Sequence, residues 1–155
     1  MVEIRQTVME DAEYLARHLR PGDLREIAAL GVPPRTAVVE SVRTSDHVWT
    51  ALHEGRVLMI FGVSELIYKE APASIWALGT PECSKFKREM LRIGRSVVRD
   101  LLRTFPRMEN WCDARYSESV RFVRHLGFTV DKPCEWGVNG EPFCHLHISA
   151  KNQEG

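Results

Sequence analysis

The chain has 155 residues, 44% of them hydrophobic and 27% charged, with 21 Lys plus Arg against 21 Asp plus Glu. A domain of this length can bury about 68–70% of its extended surface, so it needs no disulfides, and its formal charge of zero gives no whole-chain basis for nucleic-acid binding. No apolar run approaches the roughly 18 residues of a membrane span, and residues 1–30 lack the order of a secretory leader, so a cytoplasmic single domain over 1–155 is expected, with no membrane partner.

Residues 2–8 alternate Val2, Ile4, Gln6 and Val8 with Glu3, Arg5 and Thr7, which predicts a half-buried first strand. A helix follows, with Glu10 and Asp11 in its first turn and Ala12, Leu15, Ala16 and Leu19 as its apolar stripe. Pro21-Gly22 breaks it. Asp23 with Glu26 three residues on reads as the capping box of a second helix, which turns Leu24, Ile27 and Ala28 inward and closes at Gly31. Pro33-Pro34 opens a third helix with Ala37, Val38 and Val42 on one side. Residues 47–53 and 56–63 are strand-like and meet at Glu54-Gly55, a hairpin signal; the second is nearly all apolar, as a central strand is.

A further strand is expected at 73–78. It leads through Gly79-Thr80-Pro81-Glu82 into a long helix over 81–105, with Thr80 as cap and Pro81 at the first position. Phe86, Met90, Ile93, Val97, Leu101 and Phe105 keep one face of that helix apolar, broadened by Val98 and Leu102. Arg88, Arg92, Arg95, Arg99 and Arg103 fill much of the rest as a solvated charged face. A short strand at 108–112 precedes a helix over 113–126, where Val120, Phe122, Val123 and Leu126 form the stripe and Glu118, Arg121 and Arg124 point away. Gly127 ends that helix, because glycine reaches left-handed backbone angles without a clash.

A strand at 128–130, a loop over 132–142 with a turn at Asn139-Gly140, and a strand at 143–148 complete the chain. Residues 150–155 read as frayed. Cys83, Cys112, Cys134 and Cys144 contain no C-x-x-C pair and are read as reduced thiols. His145 and His147 share one strand face, which is ligand geometry for two metal donors; with no third ligand apparent, no metal is assigned. His125 reads as a helix-end cation in preference to a catalytic base, Trp136 with Val138 and Phe143 belongs to a loop pinned by its own aromatics, and Asp113 is a helix cap or a base, the cap being favoured.

The helix ending in Leu126-Gly127-Phe128, the strand-to-helix step from Leu78 to Glu82 and the order of elements together resemble the GCN5-related N-acetyltransferases over nearly the whole chain. The resemblance implies a mixed α/β fold with about six or seven strands and flanking helices. It also implies an acetyl-CoA site, with the pantetheine along the backbone of Ala77, Leu78 and Gly79. The pyrophosphate would lie on the helix start from Thr80 through Cys83 and Ser84, assisted by Lys85, Lys87 or Arg88.

Two positions depart from the family pattern. The family's phosphate loop carries glycines where this chain has TPECSKFKRE, and its tyrosine general acid falls at Val123, which cannot donate a proton. Tyr116, at the family's asparagine position with the small Ser119 three residues on, is then the candidate proton donor. More narrowly, the runs HLRPGDLREIAALG, WTALHEGRVLMIFGV and IWALGTPE resemble acetyltransferase-like phage and prophage proteins related to a podovirus internal virion protein. The implied function is acetyl transfer from acetyl-CoA to a small-molecule or protein amine. The alternative is a non-catalytic module acting through phage or host protein contacts, virion-associated if phage-derived.

Overall fold

A computed structural model of the chain describes residues 1–65 and 70–150. The fold is mixed α/β. In chain order it runs β1 (Glu3–Gln6), α1 (Met9–Arg17), α2 (Pro21–Ala29), α3 (Pro34–Thr44), β2 (His47–His53), β3 (Arg56–Ser64) and β4 (Ala73–Gly79). A 3-10 helix (Pro81–Phe86) follows, then α4 (Lys87–Thr104), β5 (Arg107–Asp113), α5 (Ser117–His125), β6 (Thr129–Val130), β7 (Cys134–Glu135) and β8 (Pro142–Ser149). Among the described residues the sheet has eight strands in the order β1-β2-β3-β4-β5-β8-β6, with β7 also on β8. The β4–β5 pair is parallel, as expected for strands joined by a helical crossover, and the pairs made by β8 are antiparallel.

The chain divides into two compact units, Met1–Ser64 with Trp76–Met90, and Glu65–Ile75 with Leu91–Gly155. In the first, Ala12 and Leu15 of α1, Ile27 of α2 and Val38 of α3 join Leu52, Val57, Ile60 and Leu78 in one buried cluster. Gly62 of β3 admits the Trp76 side chain: a Cβ there would lie 2.9 Å from the His47 carbonyl oxygen and 2.9 Å from Trp76 Nε1. The β2–β3 hairpin turns at Glu54 (φ 48°) and Gly55 (φ 77°), two left-handed residues whose twist matches that of the strands they join. In the second unit Val98, Leu101, Leu102 and Phe105 are buried along α4, and Met108, Cys112, Phe143, Cys144, Leu146 and Ile148 along β5 and β8.

The C-terminus of α5 follows the sequence expectation closely. Gly127 sits at φ 105°, its N–H bonds the Arg124 carbonyl at 3.0 Å, and the Phe128 N–H bonds the Val123 carbonyl at 3.1 Å. That double closure is the Schellman arrangement, which only a residue free of a Cβ enters cheaply.

Several expectations need correction. The first strand is shorter than 2–8, because Val8 already precedes α1, and all four of its residues are exposed on a sheet edge that pairs with β2 alone. Asp23 does not cap α2, which already begins at Pro21; the carboxylate lies inside the first turn and faces inward. Leu24 and Ala28 are consequently exposed, while Ile27 and Ala29 are buried. The single helix expected over 81–105 is a 3-10 turn followed by α4, and the Thr80 side chain makes no cap. The helix expected over 113–126 begins only at Ser117, and β7 falls inside the expected loop. The frayed end lies, from residue 151 on, outside the described residues.

Candidate functional site

The C-terminal end of β4 is where α2, β3 and the 3-10 turn converge within the first unit. Asp23 Oδ2 accepts the Gly79 N–H at 2.7 Å and Arg20 Nε–H at 2.8 Å, and the Arg20 N–H donates to the Gly79 carbonyl at 3.0 Å. Gly79 has no room for a side chain, since a Cβ would stand 2.9 Å from Cys83 Sγ. The Thr80 N–H donates to the Leu58 carbonyl at 2.9 Å, and its hydroxyl lies 3.1 Å and 3.3 Å from the Val57 and Leu58 carbonyls. The Cys83 N–H closes back on the Thr80 carbonyl at 3.1 Å, and its thiol donates to Leu58 O at 2.7 Å.

Electrostatics follow from this burial. Desolvation raises the Asp23 carboxyl above its usual range, against the opposing pull of Arg20 and the Gly79 N–H. Burial likewise raises the Cys83 thiol to about 11, so at neutral pH it is a protonated donor and not a nucleophile.

The structure therefore gathers Ala77, Leu78, Gly79, Thr80, Cys83, Ser84 and Lys85 on one strand-to-helix step, and divides them by role. Backbone groups of Gly79, Thr80 and Cys83 that the resemblance assigns to coenzyme are engaged by Asp23, Arg20, Leu58 and Thr80 itself. Ser84, Lys85, Lys87 and Arg88 are exposed and form a hydroxyl-bearing, cationic surface where an anion can be met.

Tyr116 and Ser119 belong to the second unit. Tyr116 immediately precedes α5 at φ −87°, ψ 73°; its N–H donates to the Asp113 carbonyl at 3.0 Å and its own carbonyl receives the Val120 N–H at 3.1 Å. Ser119 is half-buried on α5. Asp113 is buried and is gripped by the Arg115 guanidinium at 2.9 and 2.7 Å, with the Arg115 N–H also on Oδ1. His125 is exposed, its ring 2.8 Å from the Arg121 carbonyl.

One face of the β5–β8–β6 ladder carries a second polar group. Register places Glu109 opposite His147, Trp111 opposite His145 and Thr129 opposite His147. His145 Nε2 lies 2.6 Å from Glu109 and its Nδ1 lies 3.4 Å from Asp131 Oδ2, while His147 Nε2 is 3.1 Å from Asp131 Oδ1. The His147 ring holds the Asp131 carboxyl below its usual range, with His145 adding to the effect. Trp136 stacks on Trp111 at 3.9 Å with planes 5° apart, so the 132–142 loop is pinned by its own aromatic as expected, and Val138 is exposed.

Sequence reasoning missed Arg20, Asp23, Glu109 and Asp131. Asp23 matched a capping signal that the turn of Pro21 into α2 overrode. Glu109 and Asp131 gain meaning only through strand register, which period-2 patterning does not supply.

Solved structures share this architecture. A GNAT-family acetyltransferase from Bacillus anthracis superposes with a TM-score of 0.71 at 13% identity, covering 97% of this chain and 95% of its own. The fold is that of the acetyltransferases. Spermidine N-acetyltransferase from Vibrio cholerae, in complex with CoA and spermine, matches with a TM-score of 0.69 at 11% identity over 99% of this chain and 98% of its own. An aminoglycoside acetyltransferase in complex with coenzyme A and kanamycin gives 0.67 at 15% identity over 99% and 98%. No protein-family model and no curated protein sequence matches the chain.

Proposed function

We propose that the protein is an N-acyltransferase that moves an acetyl group from acetyl-CoA to a small amine. The observation that carries this reading is the near-complete structural match to acetyltransferases whose structures hold CoA together with an amine, spermine or kanamycin. In the reaction the acceptor nitrogen attacks the thioester carbonyl, its proton passes to a base or water, and the CoA thiolate leaves and takes up a proton. Tyr116 supplies that proton, and Ser119, one helical step along α5, lines the coenzyme. On β4 the backbone of Ala77 and Leu78 pairs with the pantetheine, while Ser84, Lys85, Lys87 and Arg88 meet the phosphates.

A specific observation supports a second reading, a non-catalytic acetyltransferase-like module that acts through phage or host protein contacts. The turn after β4 lacks glycine, and its Thr80 and Cys83 N–H groups are bonded to carbonyls of the protein. A pyrophosphate there would rely on side chains in place of backbone donors, so coenzyme affinity should be modest.

Thermal shift with acetyl-CoA distinguishes the two, because a ligand bound only by the folded state raises the midpoint by mass action. Calorimetry and a thiol-release assay with spermine and kanamycin as acceptors then follow. The enzyme reading expects binding, turnover with an amine, and a fall in turnover in Tyr116→Phe with binding kept. No shift and no heat at millimolar acetyl-CoA would leave the non-catalytic module.

A further inference from the structure

We propose that Asp131, His145 and His147 form a binding site for a divalent transition ion of the Zn2+ class, with Glu109 orienting His145 from behind. The three ligand residues present donor atoms that all lie within 4.8 Å of one another. Zinc bound at about 2.0–2.1 Å by imidazole nitrogen and carboxylate oxygen spaces tetrahedral donors roughly 3.4 Å apart. The observed separations of 3.4 Å from His145 Nδ1 and 3.1 Å from His147 Nε2 to the two oxygens of Asp131 require only small side-chain adjustments around such an ion.

Charge and tautomer favour the same occupant. A neutral imidazole carries a single N–H, yet both ring nitrogens of His145 face carboxylates, Glu109 at 2.6 Å and Asp131 at 3.4 Å. With the N–H on Nε2 donated to Glu109, the Nδ1 lone pair faces Asp131 and the pair of acceptors is reconciled by a cation between them. A carboxylate holding the remote N–H of a ligating histidine is the usual outer partner of a metal-bound imidazole, where it sets the tautomer and strengthens the donor. Two imidazoles with one carboxylate suit zinc and its transition-metal neighbours and not Mg2+ or Ca2+, which take oxygen donors.

The backbone holds the donors in place. His145 and His147 alternate along β8, whose far neighbour is β6, and the Asp131 N–H bonds the His145 carbonyl at 2.9 Å just beyond the end of β6. The Trp111 ring, 4.8 Å from that of His145, packs beside the site. The cluster is partly open, with the Asp131 side chain half exposed, so a fourth position is left for water or an outside ligand.

The test is calorimetric titration of Zn2+ into the full-length, tag-free, chelator-treated protein, with Co2+ absorption as a second readout. The expected result is one equivalent bound at micromolar protein, with an intense Co2+ spectrum of low coordination. Asp131→Asn and His147→Gln should each weaken uptake at least tenfold. Glu109→Gln should keep the stoichiometry and weaken affinity about 10- to 100-fold, as loss of an outer partner does. Because Asp131 is at the surface, Asp131→Asn tests the site even if a histidine variant does not fold, and circular dichroism identifies that case. Absence of stoichiometric uptake by the wild type, equal uptake by Asp131→Asn, or equal affinity for Mg2+ would each overturn the proposal.

Discussion

Gly127, at φ 105°, occupies a conformation that a side chain enters only with strain. Gly127→Ala should destabilise the protein by about 1 kcal/mol or more, read as a lower urea midpoint at unchanged slope. Asp11 provides a pH prediction. Burial opposes its charge, but the Arg5 guanidinium at 2.6 and 3.0 Å, the Val8 N–H and the Thr50 hydroxyl outweigh that and lower its pKa. A carboxyl with a lowered folded pKa adds stability that is fully present above the unfolded value of about 3.9 and is lost as pH falls through the folded one. Arg5→Met should therefore move the acid-unfolding midpoint to higher pH, measured by urea titrations across a pH series, and an unmoved midpoint would contradict this account. Gly127 was legible in the sequence because its constraint is local: helix period stops and strand period begins around it. The Thr50 partner of Asp11 was not, since it lies 39 residues away.

At the scale of elements, the joint after β4 hangs on Asp23. Asp23→Ala would leave the buried Gly79 N–H without its acceptor and remove the bond from Arg20 Nε–H, and should cost about 3 kcal/mol. Asp23→Asn keeps an acceptor and removes a carboxyl that burial disfavours, so its cost should be clearly smaller; equal losses in the two variants would remove the Gly79 bond from the account. Under the proposed acyltransferase reading, acetyl-CoA affinity should follow the same order, because both variants act on the strand end carrying Ala77 and Leu78, the residues proposed to pair with the pantetheine. Most elements could be read from period alone, including the β2–β3 hairpin and the solvated arginines of α4, all five of which are exposed. The 3-10 turn could not. Its shape comes from Thr80 and Cys83 bonding carbonyls of β3, a tertiary effect that overrides the helix-start signal of Thr80-Pro81-Glu82.

For the molecule as a whole, three of the four cysteines, Cys83, Cys112 and Cys144, are buried and Cys134 is exposed. A thiol reagent should label one cysteine rapidly in the native state and all four in denaturant, and Cys134→Ser should abolish the fast phase; labelling of two or more at the native rate would contradict the burial pattern. The mixed sheet and its acetyltransferase likeness were legible because element order survives where residue identity does not. Strand β7, only Cys134–Glu135, was hidden by its brevity. Brevity also governs how the sheet meets its surroundings. An open strand edge invites a neighbouring chain to pair with it, yet beyond β8 the edge is made of two-residue pieces, Thr129–Val130 and Cys134–Glu135, interrupted by Pro133. At the opposite edge β1 offers only Glu3–Gln6, with Arg5 tied to Asp11. Among the described residues neither rim presents a template long enough for cross-chain stacking, so the folded protein should resist fibril growth even at concentrations where its unfolded chain would aggregate.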